Sequence, residues 1–218
     1  MPALQNKTIL VVGYTGGLGK EITQQLQLAG ATVLGASRAQ FDLNSEQSIE
    51  QFCAAVNSSA TAIDGLVLAT GLVAFGSISE TPIEITPQLM QVNFLGQVSL
   101  VQKLLGKLNE SAARGNEPFI ISISGVIAEN PMAGLAAYSA SKTALLGYAQ
   151  AASREFRKLG IRWIDCRPGH TETGLANRAI FGSAPAFGTG LTPESVAKRI
   201  VEAIVNDEKD LPSSSFMN

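Results

Sequence analysis

The sequence predicts an α/β protein in which one parallel sheet of about six strands, or fewer, carries helices on both faces (a doubly wound arrangement). Short apolar runs alternate with helix-length segments along nearly the whole chain, as in a succession of βαβ units. The first run, residues 8–12, is apolar from Ile9 onward and is followed by a glycine, which is typical of a buried parallel strand. A length of 218 residues fits a single domain over residues 1–218.

The strands and helices follow in order from these runs. Strands are predicted over residues 8–12, 32–37, 65–69, 119–123 and 162–166. Helices are predicted over residues 17–29, 45–56, 85–108, 138–159 and 193–205. Ser45 and Thr192 suit N-caps, Pro193 suits the first helical position, and Gly30 and Gly160 suit helix ends.

Two places depart from the regular pattern. Only residues 38–40 separate the second strand from Phe41, whereas a parallel crossover needs about a dozen residues. Residues 41–43 therefore cannot form the next parallel strand, and we expect one crossover helix to be missing and this sheet edge to be short or irregular. Residues 211–218 follow the last predicted helix and are predicted to form a loose tail.

Composition excludes several classes of function. Hydrophobic residues make up 45% of the chain, charged residues make up 16%, and the net charge is −2 without a basic cluster, which argues against nucleic acid or an anionic membrane as partner. The first strand begins too early to leave room for a signal peptide, so we expect a cytoplasmic protein. Cys53 and Cys166 lack metal-ligand spacing, and His170 is the only histidine, so no metal site is expected.

A glycine-rich turn follows the first strand. Gly13, Gly17 and Gly19 allow a tight turn and a close backbone approach to a pyrophosphate at a helix N-terminus. Tyr14, Thr15 and Leu18 lie within the same turn. A strand before the turn and a helix after it favour nucleotide binding in a Rossmann-type domain; the alternative is a plain flexible turn.

The end of the second strand bears on cofactor choice. Ser37 and Arg38 close this strand, and no acidic residue lies between Thr32 and Gln40. Since a ribose 2′-hydroxyl prefers an acidic acceptor and a 2′-phosphate prefers an arginine, NADP(H) is preferred over NAD(H). The alternative is that Arg38 simply faces solvent.

Tyr138 and Lys142 are four residues apart, about one helical turn, so both side chains share a face. A Lys ammonium beside a Tyr favours the phenolate and lowers the phenol pKa, which makes the Tyr a usable proton donor. This spacing also occurs by chance on solvated helices, so its meaning depends on the other motifs.

Taken in order, the motifs resemble those of the short-chain dehydrogenase/reductase family from about residue 8 to residue 205. The matching segments are residues 12–19, Asp42-Leu43, Leu68-Ala69-Thr70-Gly71, Val92-Asn93-Phe94-Leu95-Gly96, residues 138–142 and Arg167-Pro168-Gly169-His170-Thr171-Glu172-Thr173. Val12 replaces the family's usual threonine, and the third segment keeps only the glycine of the usual Asn-Asn-Ala-Gly.

The resemblance implies that Tyr138 exchanges a proton with a small carbonyl or alcohol substrate. Lys142 would lower the Tyr138 pKa and bind the nicotinamide ribose, and Asn93 would sit at a helix kink and hold a proton-relaying water. Asp42 and Leu43 would flank the adenine, and Ala69, Thr70 and Gly71 would also bind the cofactor. The nicotinamide end would contact the segment that contains Pro168, Gly169, Thr171 and Thr173. The resemblance also implies a homodimer or homotetramer formed through helices 88–108 and 138–159.

One family residue is displaced. The resemblance places a substrate-orienting serine thirteen residues before the tyrosine, where this chain has Gly125. Two hypotheses stay open: Ser124 replaces it through a shifted loop, or the position is vacant and carbonyl reduction is weak or lost. The second is compatible with an alternative function, a non-catalytic NADP(H)-binding sensor or interaction protein.

The segment between Thr173 and Thr192 combines apolar residues with four glycines and is predicted to form a mobile apolar lid. Such a lid indicates an apolar substrate; the alternative is that these side chains only cover the sheet.

Overall fold

The centre of the molecule is a five-stranded parallel sheet in the order β2-β1-β3-β4-β5. The computed structural model describes residues 3–59 and 61–217. The strands are β1 (Thr8–Val12), β2 (Thr32–Ala36), β3 (Gly65–Leu68), β4 (Phe119–Ile123) and β5 (Arg162–Cys166). All four neighbouring pairs are parallel, so the predicted doubly wound α/β architecture is confirmed.

The helices cover both faces of the sheet. They are α1 (Gly17–Leu28), α2 (Glu46–Ser58), α3 (Ile85–Met90), α4 (Gly96–Ala113), α5 (Ala136–Phe156) and α6 (Pro193–Val205). Successive strand side chains point to opposite faces: Leu10 packs in a core that includes residues of α2, α4 and α5, and Ile9 in one that includes residues of α1 and α6. The predicted caps form, since the Ser45 and Thr192 side chains each accept a hydrogen bond from a backbone N–H.

The sheet has five strands, not six, in the part of the chain that the structure describes. After β2 the chain turns back through backbone hydrogen bonds to the Ser37 carbonyl, and Phe41 stacks on Phe52 of α2 with ring centroids 4.2 Å apart. Residues 41–43 thus form no strand, as the short connection predicts. At the opposite edge, Leu211 makes a single parallel bridge to Cys166 where a sixth strand would lie.

The predicted loose tail is wrong for residues 211–217, and Asn218 lies outside the described residues. Leu211 and Phe216 are buried among the side chains of α6 and the sheet. Arg199 of α6 donates a hydrogen bond to the Ser215 carbonyl at 3.2 Å and forms two hydrogen bonds with the Glu208 carboxylate. Two buried apolar side chains and the hydrogen bonds of Arg199 therefore hold this segment against α6 and the sheet.

The predicted helix over residues 85–108 is interrupted. α3 ends at Met90, a π-helical turn occupies Gln91–Leu95, and α4 continues to Ala113. Such turns insert one extra residue and often occur at functional sites. No helix in the described ranges is long and apolar enough to cross a membrane.

Candidate active site

A cleft of about 530 Å³ lies at the carboxyl ends of the strands, where open α/β sheets bind their ligands. It joins the glycine turn, the end of β2, the segments after β3, β4 and β5, and one face of α5. The predicted residues that line it are Gly13, Thr15, Gly17, Leu18, Ser37, Arg38, Asp42, Leu43, Ala69, Thr70, Gly71, Ser124, Tyr138, Lys142, Pro168, Gly169, Thr171 and Thr173. Tyr14, Gly19 and Asn93 are not part of the lining.

The glycine turn forms a tight cradle at the start of α1. Gly13 has a φ of +88°, and a Cβ atom on Gly19 would lie only 2.1 Å from the Gly13 carbonyl oxygen. Gly19 therefore permits the helix to pack on the turn and does not itself face the cleft. Tyr14 also points away, because its ring packs on Gly35 of β2. α1 has no side-chain N-cap bond and no acidic residue in its first turn, so its N-terminus is available to an anion.

The end of β2 forms the second part of the cleft. Arg38 and Asp42 both line it, and the Ser37 hydroxyl donates a hydrogen bond to the Gln40 side chain at 2.6 Å. Hydrogen bonds from the Asn44 backbone N–H and side chain, together with the charge of Arg38, hold the pKa of Asp42 below its usual value against the opposing effect of burial. Asp42 is thus a carboxylate in the lining of the cleft, and the charge of Arg38 favours its ionised form.

Asn93 lies in the π turn and is fully buried. Its amide accepts a hydrogen bond from the Leu72 N–H at 2.8 Å and donates to the Leu72 carbonyl at 2.9 Å. It also donates to the Ser141 hydroxyl of α5 at 3.0 Å. Asn93 therefore joins the segment after β3 to α5.

Tyr138 and Lys142 face the cleft together from α5. The Lys142 ammonium donates a hydrogen bond to the Ile123 carbonyl at 2.7 Å, and a Cβ atom on Gly71 would lie 3.5 Å from Lys142 Nζ. Burial lowers the pKa of Lys142 to about 8, opposed by the charge of Asp165. Burial raises the pKa of Tyr138 to about 12.

The raised pKa of Tyr138 contradicts the expectation that Lys142 lowers it. The reason is the surroundings: an apolar cluster of Val73, Phe75, Ile127 and Leu135 packs against the Tyr138 ring, and desolvation disfavours a phenolate. Tyr138 is accordingly a protonated phenol at neutral pH.

Ser124 does not take the place of the missing serine in this geometry. Its buried hydroxyl donates a hydrogen bond to the Asp165 carboxylate of β5, and the Ser122 hydroxyl donates to the same carboxylate at 2.6 Å. Side chains two residues apart on a strand share a face, so both serines point to Asp165. Gly125 occupies the expected serine position with a φ of +79°. The structure therefore favours the second hypothesis, that no hydroxyl stands at this position.

Sequence reasoning missed the ion network around the buried Arg167 and Asp165, next to Ser124. Arg167 forms two hydrogen bonds with the Asp210 carboxylate, at 2.8 and 2.6 Å, and pairs with Glu129 and Asp165. The sequence did contain a signal for this network, because Asp165 is an acidic residue inside the predicted strand 162–166. The network joins the C-terminal segment to Pro168 and to the loop after β4.

The segment after Thr173 closes the cleft on its apolar side. The Ile180 N–H donates to the Val73 carbonyl, and the Phe75 N–H donates to the Phe181 carbonyl, both at 2.9 Å. Phe187 stacks on His170 with ring centroids 4.6 Å apart, and both side chains line the cleft. The predicted lid is therefore docked on the body in this structure, and its apolar character is evident.

The chain belongs to the short-chain dehydrogenase family, whose family model matches residues 34–180. It is 25% identical to dehydrogenase/reductase SDR family member 7B of Danio rerio, with 96% of this chain and 78% of that protein covered. It is 28% identical to a dehydrogenase/reductase SDR family protein 7-like of Anopheles gambiae, over 95% of this chain and 75% of that protein.

Solved structures share the fold. A 3-ketoacyl-(acyl-carrier-protein) reductase from Brucella melitensis complexed with NADH superposes with a TM-score of 0.85 at 20% identity, covering 98% of this chain and 100% of that chain. A short chain dehydrogenase from Burkholderia cenocepacia in complex with NADP superposes with a TM-score of 0.82 at 19% identity, covering 96% and 89%. The family is one of nicotinamide-dependent oxidoreductases.

The residues present fit a dinucleotide. Gly13, Gly17 and Gly19 let the turn pack tightly at the start of α1, because a Cβ atom at any of the three would lie within 2.8 Å of another backbone atom. The Thr70 hydroxyl, on a residue of the cleft wall, is buried and has no hydrogen-bond partner among the described residues. A buried polar group without a partner is costly, so a ligand that bonds to it would relieve the cost.

Proposed function

We propose that this protein is an NADP(H)-dependent oxidoreductase that interconverts a carbonyl and an alcohol in an apolar small molecule. The observation that carries the proposal is the meeting of Tyr138 and Lys142 with the glycine cradle in one cleft. A bound nicotinamide supplies hydride to carbon in reduction and accepts it in oxidation.

Tyr138 is the proton donor in the direction of reduction. With a pKa of about 12 the phenol keeps its proton at neutral pH and can give it to a forming alkoxide, which is the stronger base. Lys142, with a pKa of about 8, is mostly cationic at pH 7 and stabilises the phenolate that remains. In oxidation the same groups act in reverse.

The position of Lys142 depends on its surroundings. The Ile123 carbonyl accepts from its ammonium, and Asn93 holds Leu72 immediately after Gly71, the residue next to that ammonium. Backbone groups at the ends of two neighbouring strands thus hold Lys142 in place, which favours a constant geometry for proton transfer.

A matched pair of tyrosine variants tests catalysis. Tyr138→Phe removes the proton donor, and Tyr148→Phe makes the same change in a ring that packs on Trp163, outside the cleft lining. On a panel of apolar ketones and aldehydes, NADPH oxidation should fall about 10²- to 10⁴-fold in Tyr138→Phe and remain near wild type in Tyr148→Phe. Background-level oxidation by the wild type on every substrate would remove the support for an enzyme.

A second candidate is a non-catalytic NADP(H)-binding protein that senses the cofactor or binds a partner. The vacant hydroxyl position at Gly125, with Ser124 bonded to Asp165, favours it. It predicts cofactor binding without turnover and a partner affinity that changes with cofactor. The same substrate panel, run beside a direct NADPH titration, separates the two candidates.

Cofactor preference has its own test. Arg38 at the end of β2 supports NADPH over NADH. Titration of the ligand-free protein should give a lower Kd for NADPH, and Arg38→Ala should shrink the difference. Equal wild-type affinities would contradict the role of Arg38.

We further expect a homodimer or homotetramer through α4 and α5. Gly106 and Gly147 support it, because nothing lies within 4 Å of the Cβ position of either residue and a second helix could approach closely. Light scattering of the wild type and of Gly147→Leu would show a change of mass if α5 forms the interface.

A further inference from the structure

Arg178 is a cation at the cleft without a matching acid. It ends the turn Ala176–Arg178 on the segment after Thr173, is exposed, and lines the cleft. Within residues 3–59 and 61–217, its guanidinium donates a hydrogen bond to the Thr173 carbonyl alone, at 3.5 Å. Among the residues that the structure describes, no salt bridge to Arg178 is present.

Arg178 stands close to the glycine turn. A Cβ atom on Gly17 would lie 2.6 Å from the Thr173 carbonyl oxygen, the same atom that accepts from Arg178. Gly17 is the first residue of α1, whose N-terminus lacks both a side-chain cap and an acidic residue. A guanidinium and the positive end of a helix thus approach one part of the cleft from different elements.

Two positive groups beside one another favour an anion between them. The helix N-terminus offers backbone N–H groups, and a guanidinium offers paired donors that match phosphate oxygens. We propose that Arg178 binds the diphosphate of the dinucleotide from the lid side, opposite the glycine turn; this rests on the cofactor in the proposed function.

The proposal ties cofactor binding to the lid. Arg178 belongs to the segment that Ile180 and Phe181 hold against Val73 and Phe75. A diphosphate bound by both Gly17 and Arg178 would connect the body of the domain to this segment. Cofactor binding would then stabilise the docked lid over Tyr138 before substrate chemistry begins.

The test measures binding, not turnover. Kd values for NADPH, NADH and ADP-ribose are measured by calorimetry for the wild type, Arg178→Gln and Arg178→Lys. Arg178→Gln should weaken all three ligands by about tenfold, since each contains the diphosphate, and Arg178→Lys should fall between. Arg154→Gln removes the same charge from an exposed position of α5 outside the cleft and should bind as wild type.

Arg38→Ala gives the opposite ligand pattern. It should weaken NADPH and leave NADH and ADP-ribose unchanged, because only NADPH has the 2′-phosphate. The proposal is overturned if Arg178→Gln binds ADP-ribose within twofold of wild type, or weakens NADPH alone. A wild type that binds none of the three ligands overturns both the proposed function and this inference, whereas normal wild-type binding with an unchanged Arg178→Gln overturns only the latter.

Discussion

Lys142 should make the stability of the folded protein depend on alkaline pH. Burial lowers the pKa of its ammonium from 10.5 to about 8. Between these values the unfolded chain binds more protons than the folded chain, so the free energy of unfolding rises with pH. Lowering this pKa from 10.5 to about 8 corresponds to about 3 kcal/mol in the free energy of unfolding. This stabilisation is fully present above pH 10.5 and is lost as the pH falls through 8. Lys142→Met lacks this titration.

The assay compares urea unfolding of the wild type and Lys142→Met from pH 7 to 10.5. Over this range the free energy of unfolding of the wild type should rise by up to about 3 kcal/mol relative to that of Lys142→Met. The slope should be at most about 1.4 kcal/mol per pH unit. Lys20→Met, an exposed position on α1, should show no such gain. Since all three proteins keep Tyr138, its titration largely cancels. A difference that stays flat or falls with pH would refute the reasoning.

Three other substitutions probe the site through stability. Asn93→Ala leaves the Leu72 N–H and carbonyl without partners, and urea unfolding should show a loss of about 2–5 kcal/mol. Gly19→Ala places a methyl group against the Gly13 carbonyl; a loss of about 3 kcal/mol in unfolding should accompany weaker NADPH binding. Gly125→Ser should cost about 1–3 kcal/mol, because its φ and ψ of +79° and 163° suit only glycine. A rise in carbonyl reduction in the same variant would identify position 125 as the vacant hydroxyl site.

The sheet and most of the cleft could be predicted from sequence because their signals are local. Runs such as Ile9 to Val12 in β1 are apolar on both faces of the strand, as a strand covered by two helix layers requires. The cap at Ser45 and the short connection before Phe41 depend on neighbouring residues only. Parallel strands then bring their carboxyl ends together, so motifs from distant segments line one cleft without long-range knowledge.

The remaining features depend on contacts that sequence does not display. The tail folds because Phe216 and Leu211 meet a core whose residues come from segments as far apart as Leu4 and Ile204. The partner of Ser124 is Asp165, 41 residues away on the next strand. The pKa of Tyr138 depends on apolar residues such as Val73 and Leu135 from separate segments, so the i,i+4 spacing to Lys142 alone predicts the wrong direction.

The π turn between α3 and α4 rotates the faces of α4 about the helix axis relative to those of α3. Each residue of a regular helix advances by about 100° around the axis, and the extra residue in Gln91–Leu95 rotates everything after it by that amount relative to α3. Asn93 can therefore face Leu72 while Leu100 and Leu104 still face the core under the sheet. Deleting one residue, for instance the half-exposed Leu95, would straighten the helix and turn either the amide or the leucines away. The π turn thus lets one continuous helical segment contact two surfaces that face different directions, the backbone at Leu72 and the core under the sheet.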